Sequence, residues 1–162
     1  MYGCLNNYIK GNQIKEFKLQ VQEREVFSIL TGKISTTINR ALLRAFAQED
    51  LHITTEQWTV LACLWKQDKI TQRELCDLTS KDKPSMTRLI DNLERNKIVV
   101  RVSHPTDRRV NLIHLTQYGA SLQKKVSAVV QSVVDKSLIG VSEDEVTISR
   151  TLLNKIISNL DA

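Results

Sequence analysis

Residues 83–116 read KPSMTRLIDNLERNKIVVRVSHPTDRRVNLIHLT, and the periodicity changes partway along. Met86, Leu89, Ile90 and Leu93 recur at spacings of three and four, which predicts a helix with one apolar face and Thr87, Arg88, Asp91 and Arg95 on or beside its wet face. From Ile98 the pattern becomes two apolar runs, Ile98 to Val102 and Val110 to Leu115, across a loop holding Pro105, Asp107, Arg108 and Arg109. That is a hairpin with two adjacent guanidinium groups at its tip. A helix with a wet face laid directly against a basic hairpin is the build of a winged helix, whose helix can enter a DNA major groove.

The same stretch resembles the MarR family of bacterial and archaeal transcriptional regulators, over about residues 27 to 138. Thr87-Arg88-Leu89-Ile90-Asp91-Asn92-Leu93-Glu94 matches the family's T-R-L-I-D-x-L-E helix end, Asp107-Arg108-Arg109 its D-x-R wing tip, and Leu115-Thr116-Gln117-Tyr118-Gly119 its L-T-x-x-G opening of the next helix. The ordered set is far more specific than a lone D-x-R. One position departs from the pattern: Lys97 stands where the family has Gly, three residues after the Leu-Glu pair. A left-handed residue there costs Lys roughly 1–2 kcal/mol more than Gly, unless Asn96 takes that conformation instead.

Charge is distributed to match. The 162 residues carry a formal net charge of +5. Residues 81–109 hold eight Lys or Arg against four Asp or Glu, whereas residues 141–162 hold two against four. Positive charge thus gathers on the suspected DNA-binding segment, as an electrostatic footprint requires.

Around this segment the chain divides into a polar arm (1–25), a long helix for dimerisation (26–50), a winged helix-turn-helix (51–115) and C-terminal dimerisation helices (116–162). From Val26 to Phe46 apolar residues recur with helical spacing past Gly32. A second helix starts near Thr54 or Thr55 and runs to about Gln67. Thr71-Gln72-Arg73-Glu74 is a capping box opening a third helix to about Thr79, and Asp82, Lys83 and Pro84 open the fourth. Two short helices joined this tightly predict a helix-turn-helix with the second as the reader. Thr116 can cap a fifth helix ending before Gly140, and Ser142 with Glu145 a sixth. The fold class is therefore mainly α with a small β wing. The apolar stripes of the first, fifth and sixth helices exceed what the small winged domain can cover, which predicts a homodimer.

Lys83, Ser85, Thr87 and Arg88 fall in the first two turns of the reading helix, the part that meets base edges and phosphates; an internal Arg88–Asp91 ion pair is the alternative. At the wing, Asp107 can pair with Arg109 and hold it extended. The resemblance implies that Arg109 enters the minor groove with Asp107 as its orienter, Arg108 touching a phosphate. It also implies a palindromic double-stranded DNA operator and release by a small anionic aromatic effector held between the dimer helices and the winged domain.

Other chemistries find little support. Cys4, Cys63 and Cys76 form no CxxC pair, and Cys63 and Cys76 read as core filling, consistent with a reducing compartment. His52, His104 and His114 lack metal-ligand spacing, so neither metal nor cofactor is expected. No glycine-rich phosphate loop or nucleophile elbow appears, which argues against an enzyme. No run of 18 apolar residues exists, and the first residues, MYGCLNNYIKGNQIKEF, lack a signal-peptide core; the expectation is a cytoplasmic protein with no membrane partner. The rival reading is a winged-helix protein-interaction module without a DNA role, its basic patch meeting an acidic partner.

Overall fold

The computed structural model describes residues 23–107 and 109–160. The first 22 residues of the expected arm, with Cys4, and the wing residue Arg108 lie outside the described residues. The chain divides into two compact units, one up to Thr36 and a second from Thr37 onward. The first contains the opening half of helix α1 (Glu23–Gln48), which begins before and ends after the expected Val26–Phe46. Its Gly32 has open space around the position of a Cβ. The rest of the chain forms the second unit.

Helix starts in the second unit are set by side chains that satisfy otherwise unpaired amides. At α2 (Thr55–Lys66) the Thr54 hydroxyl accepts from the Gln57 amide at 3.1 Å, and Gln57 Oε1 accepts from the Thr54 amide at 2.9 Å. This reciprocal cap lets the polar Gln57 be buried without an orphaned group. At α3 (Gln72–Thr79) Thr71 and Glu74 form the same box, with bonds of 3.1 and 2.7 Å. α4 (Lys83–Arg95) is capped by Asp82, whose Oδ1 accepts from the Ser85 amide at 2.7 Å. Pro84 lies in that first turn, where its missing N–H has no helical partner to lose.

Helices α2 to α4 and the sheet enclose one core. Leu61, Leu64, Leu75, Met86, Ile90, Leu93, Val99 and Ile113 are almost wholly buried, joined by Leu42 and Phe46 from α1 and Val126 from α5 (Gln117–Ser137). Burying each such side chain stabilises the fold by about 1.5–3 kcal/mol, so this cluster decides the arrangement of the three short helices. Cys63 and Cys76 pack against it and are only half-buried, less enclosed than core filling implied. Helix α6 (Glu143–Leu160) differs from all of these. It buries none of its residues, and Ile148, Leu152, Leu153, Ile157 and Leu160 are exposed.

The wing is a three-stranded antiparallel sheet of order β1-β3-β2. β2 (Val99–Ser103) pairs with β3 (Asn111–Leu115) from Val99↔Leu115 to Ser103↔Asn111. The third strand, β1 (Ile70–Thr71), pairs Ile70 with Ile113 and Thr71 with Leu112. Two residues are too few to show an alternating pattern, which is why the sequence predicts a hairpin alone.

At the helix-to-wing turn Lys97 itself adopts the left-handed conformation, with φ of 58°, while Asn96 stays at φ of −82°. The Ile98 amide reaches back to the Leu93 carbonyl and the Lys97 amide to the Glu94 carbonyl, both at 2.9 Å. These are the paired bonds of a Schellman motif, sealed by the buried pair Leu93 and Ile98. Two helix-end carbonyls and an apolar contact together outweigh the strain of one left-handed Lys. The relief offered by Asn96 is not used, because the motif needs that conformation one residue later.

Candidate nucleic-acid interface

The reading helix α4 turns Arg88, Asp91 and Arg95 outward at spacings of three and four, opposite the buried Met86, Leu89, Ile90 and Leu93. Arg88 is exposed and has no hydrogen bond or ion pair among the described residues. The alternative Arg88–Asp91 pair does not form, since the Asp91 carboxylate is taken by Arg101 of β2, with Nη2 2.6 Å from Oδ1. Lys83 is exposed at the first helical position.

Ser85 and Thr87 are half-buried, and both are engaged inside the protein. The Ser85 hydroxyl donates to Asp82 Oδ2 at 3.0 Å. Those two Ser85 bonds, the amide's first and the hydroxyl's second, hold the Asp82 carboxyl below the usual carboxylate range. The Thr87 hydroxyl donates to the Lys83 carbonyl at 2.8 Å and accepts from Gln72 Nε2 at 2.7 Å. Thr87 thus fastens the reading helix to α3, and Gln72 is a partner that no sequence motif announced. Of the four candidates on this helix, Lys83 and Arg88 are the two that are exposed with no side-chain hydrogen bond among the described residues.

At the wing tip Asp107 and Arg109 are both exposed. Asp107 Oδ1 accepts the Arg109 backbone amide at 3.0 Å, and the Asp107 carbonyl accepts from the Val110 amide at 3.0 Å. The anticipated Asp107–Arg109 ion pair is thus replaced by a side-chain-to-backbone bond, because two residues on, the nearest donor to an Asp is the main-chain N–H. Asp107 fixes the path of the chain at the tip, and the Arg109 guanidinium has no hydrogen bond or ion pair among the described residues. His104 closes the other side, its amide donating to the Val110 carbonyl at 3.0 Å.

Arg101 is the residue that motif reading passed over. Its Nη1 bonds Glu94 Oε2, its Nη2 bonds Asp91 Oδ1, and its backbone amide donates to Glu94 Oε1 at 3.1 Å. A signal for it does exist in the sequence. Arg101 shares strand parity with the buried Val99, so its charge faces inward and needs a partner, while Asp91 and Glu94 offer two carboxylates on adjacent positions of the helix surface.

Between α2 and α5 lies an open groove of about 360 Å³ whose lining includes Trp58, Trp65, Lys66, Gln123, Ser127 and Gln131. Burial pushes the Cys63 and Cys76 thiols up from their ordinary values, which disfavours the reactive thiolate. No cluster of metal ligands occurs among the described residues, and none of their helices is long and apolar enough to cross a membrane.

Comparison with known proteins bears on this geometry directly. The MarR family model matches residues 53–110, from just before α2 to the wing tip. A solved transcriptional regulator is 31% identical over 83% of this chain and 98% of its own, with a TM-score of 0.72. A mutant MarR from E. coli complexed with operator DNA is 27% identical, covers 85% of this chain and 98% of its own, and gives a TM-score of 0.78. MepR from S. aureus in a DNA complex is 27% identical over 82% of this chain and 97% of its own, with a TM-score of 0.74.

Proposed function

This chain belongs to the MarR family of DNA-binding transcriptional regulators, and from that premise we propose that it is a homodimeric repressor of a palindromic operator, released from DNA by a small aromatic anion. The observation that carries the DNA part is the pairing pattern. On a segment of net positive charge, Lys83, Arg88 and Arg109 are exposed with no side-chain hydrogen bond or ion pair among the described residues, while the neighbouring Asp82, Asp91, Glu94 and Asp107 are each committed to an internal donor. Cations remain for phosphates and base edges. Arg88 reads the major groove and Arg109 the minor groove, whose negative potential attracts a guanidinium.

The dimer is supported by α6, whose row of exposed apolar side chains needs a cover, and by the two-fold symmetry that a palindrome demands. The effector reading is supported by the groove between α2 and α5, where Trp58 and Trp65 offer aromatic surface to a flat ring and Lys66 can meet a carboxylate. It is favoured over thiol oxidation by the raised Cys63 and Cys76 thiols. A ligand that binds the DNA-free arrangement about 1.4 kcal/mol more tightly changes operator affinity tenfold.

The test is selection of preferred duplexes from a random pool, followed by anisotropy titrations. Arg109→Ala should lose on the order of 1–3 kcal/mol on the selected duplex, whereas Lys83→Ala should weaken every duplex more evenly. Salicylate should release wild type and a cysteine-free variant alike. An Arg109→Ala protein with intact fold and undiminished affinity for the selected duplex would refute the wing contact.

A further inference from the structure

We propose that Arg101 is a positioning residue that locks the wing to the reading helix, so that the major-groove and minor-groove contacts act as one unit and the preference for operator over random DNA depends on it. The proposal rests on the DNA-binding reading above and adds to it the residue that sets the angle between its two contact elements.

The geometry carries the argument. Arg101 is the point at which β2 is fastened to the outer side of α4, through two guanidinium nitrogens and its own amide. Beyond it the strand is exposed at Val102 and Ser103, as are Pro105, Thr106, Asp107 and Arg109 in the loop. Past Arg101 the strand runs two residues further to Ser103 and the loop carries the chain on, so the tip lies at most roughly 20 Å from the fastening point. A swing of about 10° there would move the tip by up to roughly 3 Å, more than the few tenths of an ångström within which a hydrogen bond forms. With the brace intact, placing Arg88 on the major groove also places Arg109.

Two other roles fit less well. Arg101 is a poor DNA ligand itself, because both of its terminal nitrogens are occupied and its side chain is only 23% exposed. It also neutralises Asp91, which lies on the outward face between Arg88 and Arg95, and a purely electrostatic role would end there. The two roles separate by substitution. Lys keeps the charge at position 101 but is a point donor without the planar fork that spans two carboxylates.

In Arg101→Lys, affinity for random duplex should stay within about twofold of wild type, while the ratio of selected to random affinity should fall about tenfold. Arg109→Ala should then cost less in that background than in wild type, the signature of coupling. Hydrogen exchange of the β2 and β3 amides should quicken in the DNA-free protein, which a charge effect on DNA alone would not produce. Glu94→Gln, which leaves the Asp91 bond alone, should move all three readouts in the same direction by smaller amounts and serves if Arg101→Lys is too unstable to assay. A selectivity ratio within twofold of wild type in both variants would overturn the proposal. So would recovery of the wild-type ratio in the combined variant Arg101→Met, Asp91→Asn, Glu94→Gln, which removes the charges and the brace together. A wild type that selects no preferred duplex would instead take down the operator reading, and this inference with it.

Discussion

Gly119 lies so close to the main chain of Ile98 that a Cβ built on it would fall 2.1 Å from the Ile98 carbonyl oxygen. The contact belongs to a joint where three elements meet. The Thr116 amide donates to that same oxygen at 3.0 Å, the Thr116 hydroxyl donates to the Lys97 carbonyl at 2.7 Å and accepts from the Gly119 amide at 2.9 Å, and Trp65 Nε1 donates to the Gly119 carbonyl at 3.1 Å. The L-T-x-x-G motif thereby gains a physical reason: Thr caps α5 and grips the end of the reading helix, and Gly lets the two backbones touch. Gly119→Ala should lower stability by about 1–3 kcal/mol, since the obstacle is backbone and cannot swing aside. A urea midpoint equal to wild type would show that the joint can open without penalty.

Lys97 makes a prediction of the opposite sign. A left-handed Lys is strained by roughly 1–2 kcal/mol relative to Gly, while Gly makes the unfolded chain more flexible and gives back about 0.4–1 kcal/mol. The difference favours Lys97→Gly by about 0–1.6 kcal/mol, with a midpoint of about 0.8. The urea midpoint should rise with an unchanged slope, whereas a fall would mean that the Lys side chain contributes an interaction larger than its backbone strain.

Much of the architecture is legible because its signals are local. Thr71 with Glu74, Asp82 before Pro84, and Ser142 with Glu145 each mark a helix start by chemistry confined to four residues, and all three caps form. What is not legible depends on partners distant in sequence. β1 exists because Ile70 meets Ile113, and the Gln72–Thr87 bond exists because α3 and α4 are packed together. Asp91 misleads for the same reason. Its neighbour on the helix is Arg88, but a strand residue ten positions on reaches it instead. The Asp107–Arg109 pairing joins the expected residues through different atoms.

Helix α6 yields a prediction about assembly. Its apolar residues lie along the whole helix, from Ile148 at 67% exposure to Leu160 at 81%, and an apolar row of this extent is costly to leave in water. If it forms the dimer interface with the other long helices, deleting residues 142–162 should yield a monomer or an aggregating chain by sedimentation velocity. A truncated chain that remains a well-behaved dimer would move the interface elsewhere.

The capping carboxylates give the fold an acid limb of defined sign. Glu74 is held below the usual carboxylate range by the Thr71 hydroxyl first and the Thr71 amide second, Asp82 by the Ser85 amide and hydroxyl, and Glu145 by the Ser142 amide and hydroxyl. A carboxyl whose folded pKa is depressed binds its proton more readily in the unfolded chain. It therefore stabilises the fold fully above its ordinary titration range, and loses that contribution as the pH falls through the lower, folded value. Asn at position 82 would still accept the Ser85 amide but would not titrate. Wild type should then be the more stable protein near neutrality, and its advantage over Asp82→Asn should shrink steadily on acidification. The check is a series of urea midpoints for both proteins from neutral into acid. Parallel curves, with the gap unchanged across the carboxylate range, would mean that the Asp82 cap acts by hydrogen-bond geometry alone and not by its charge.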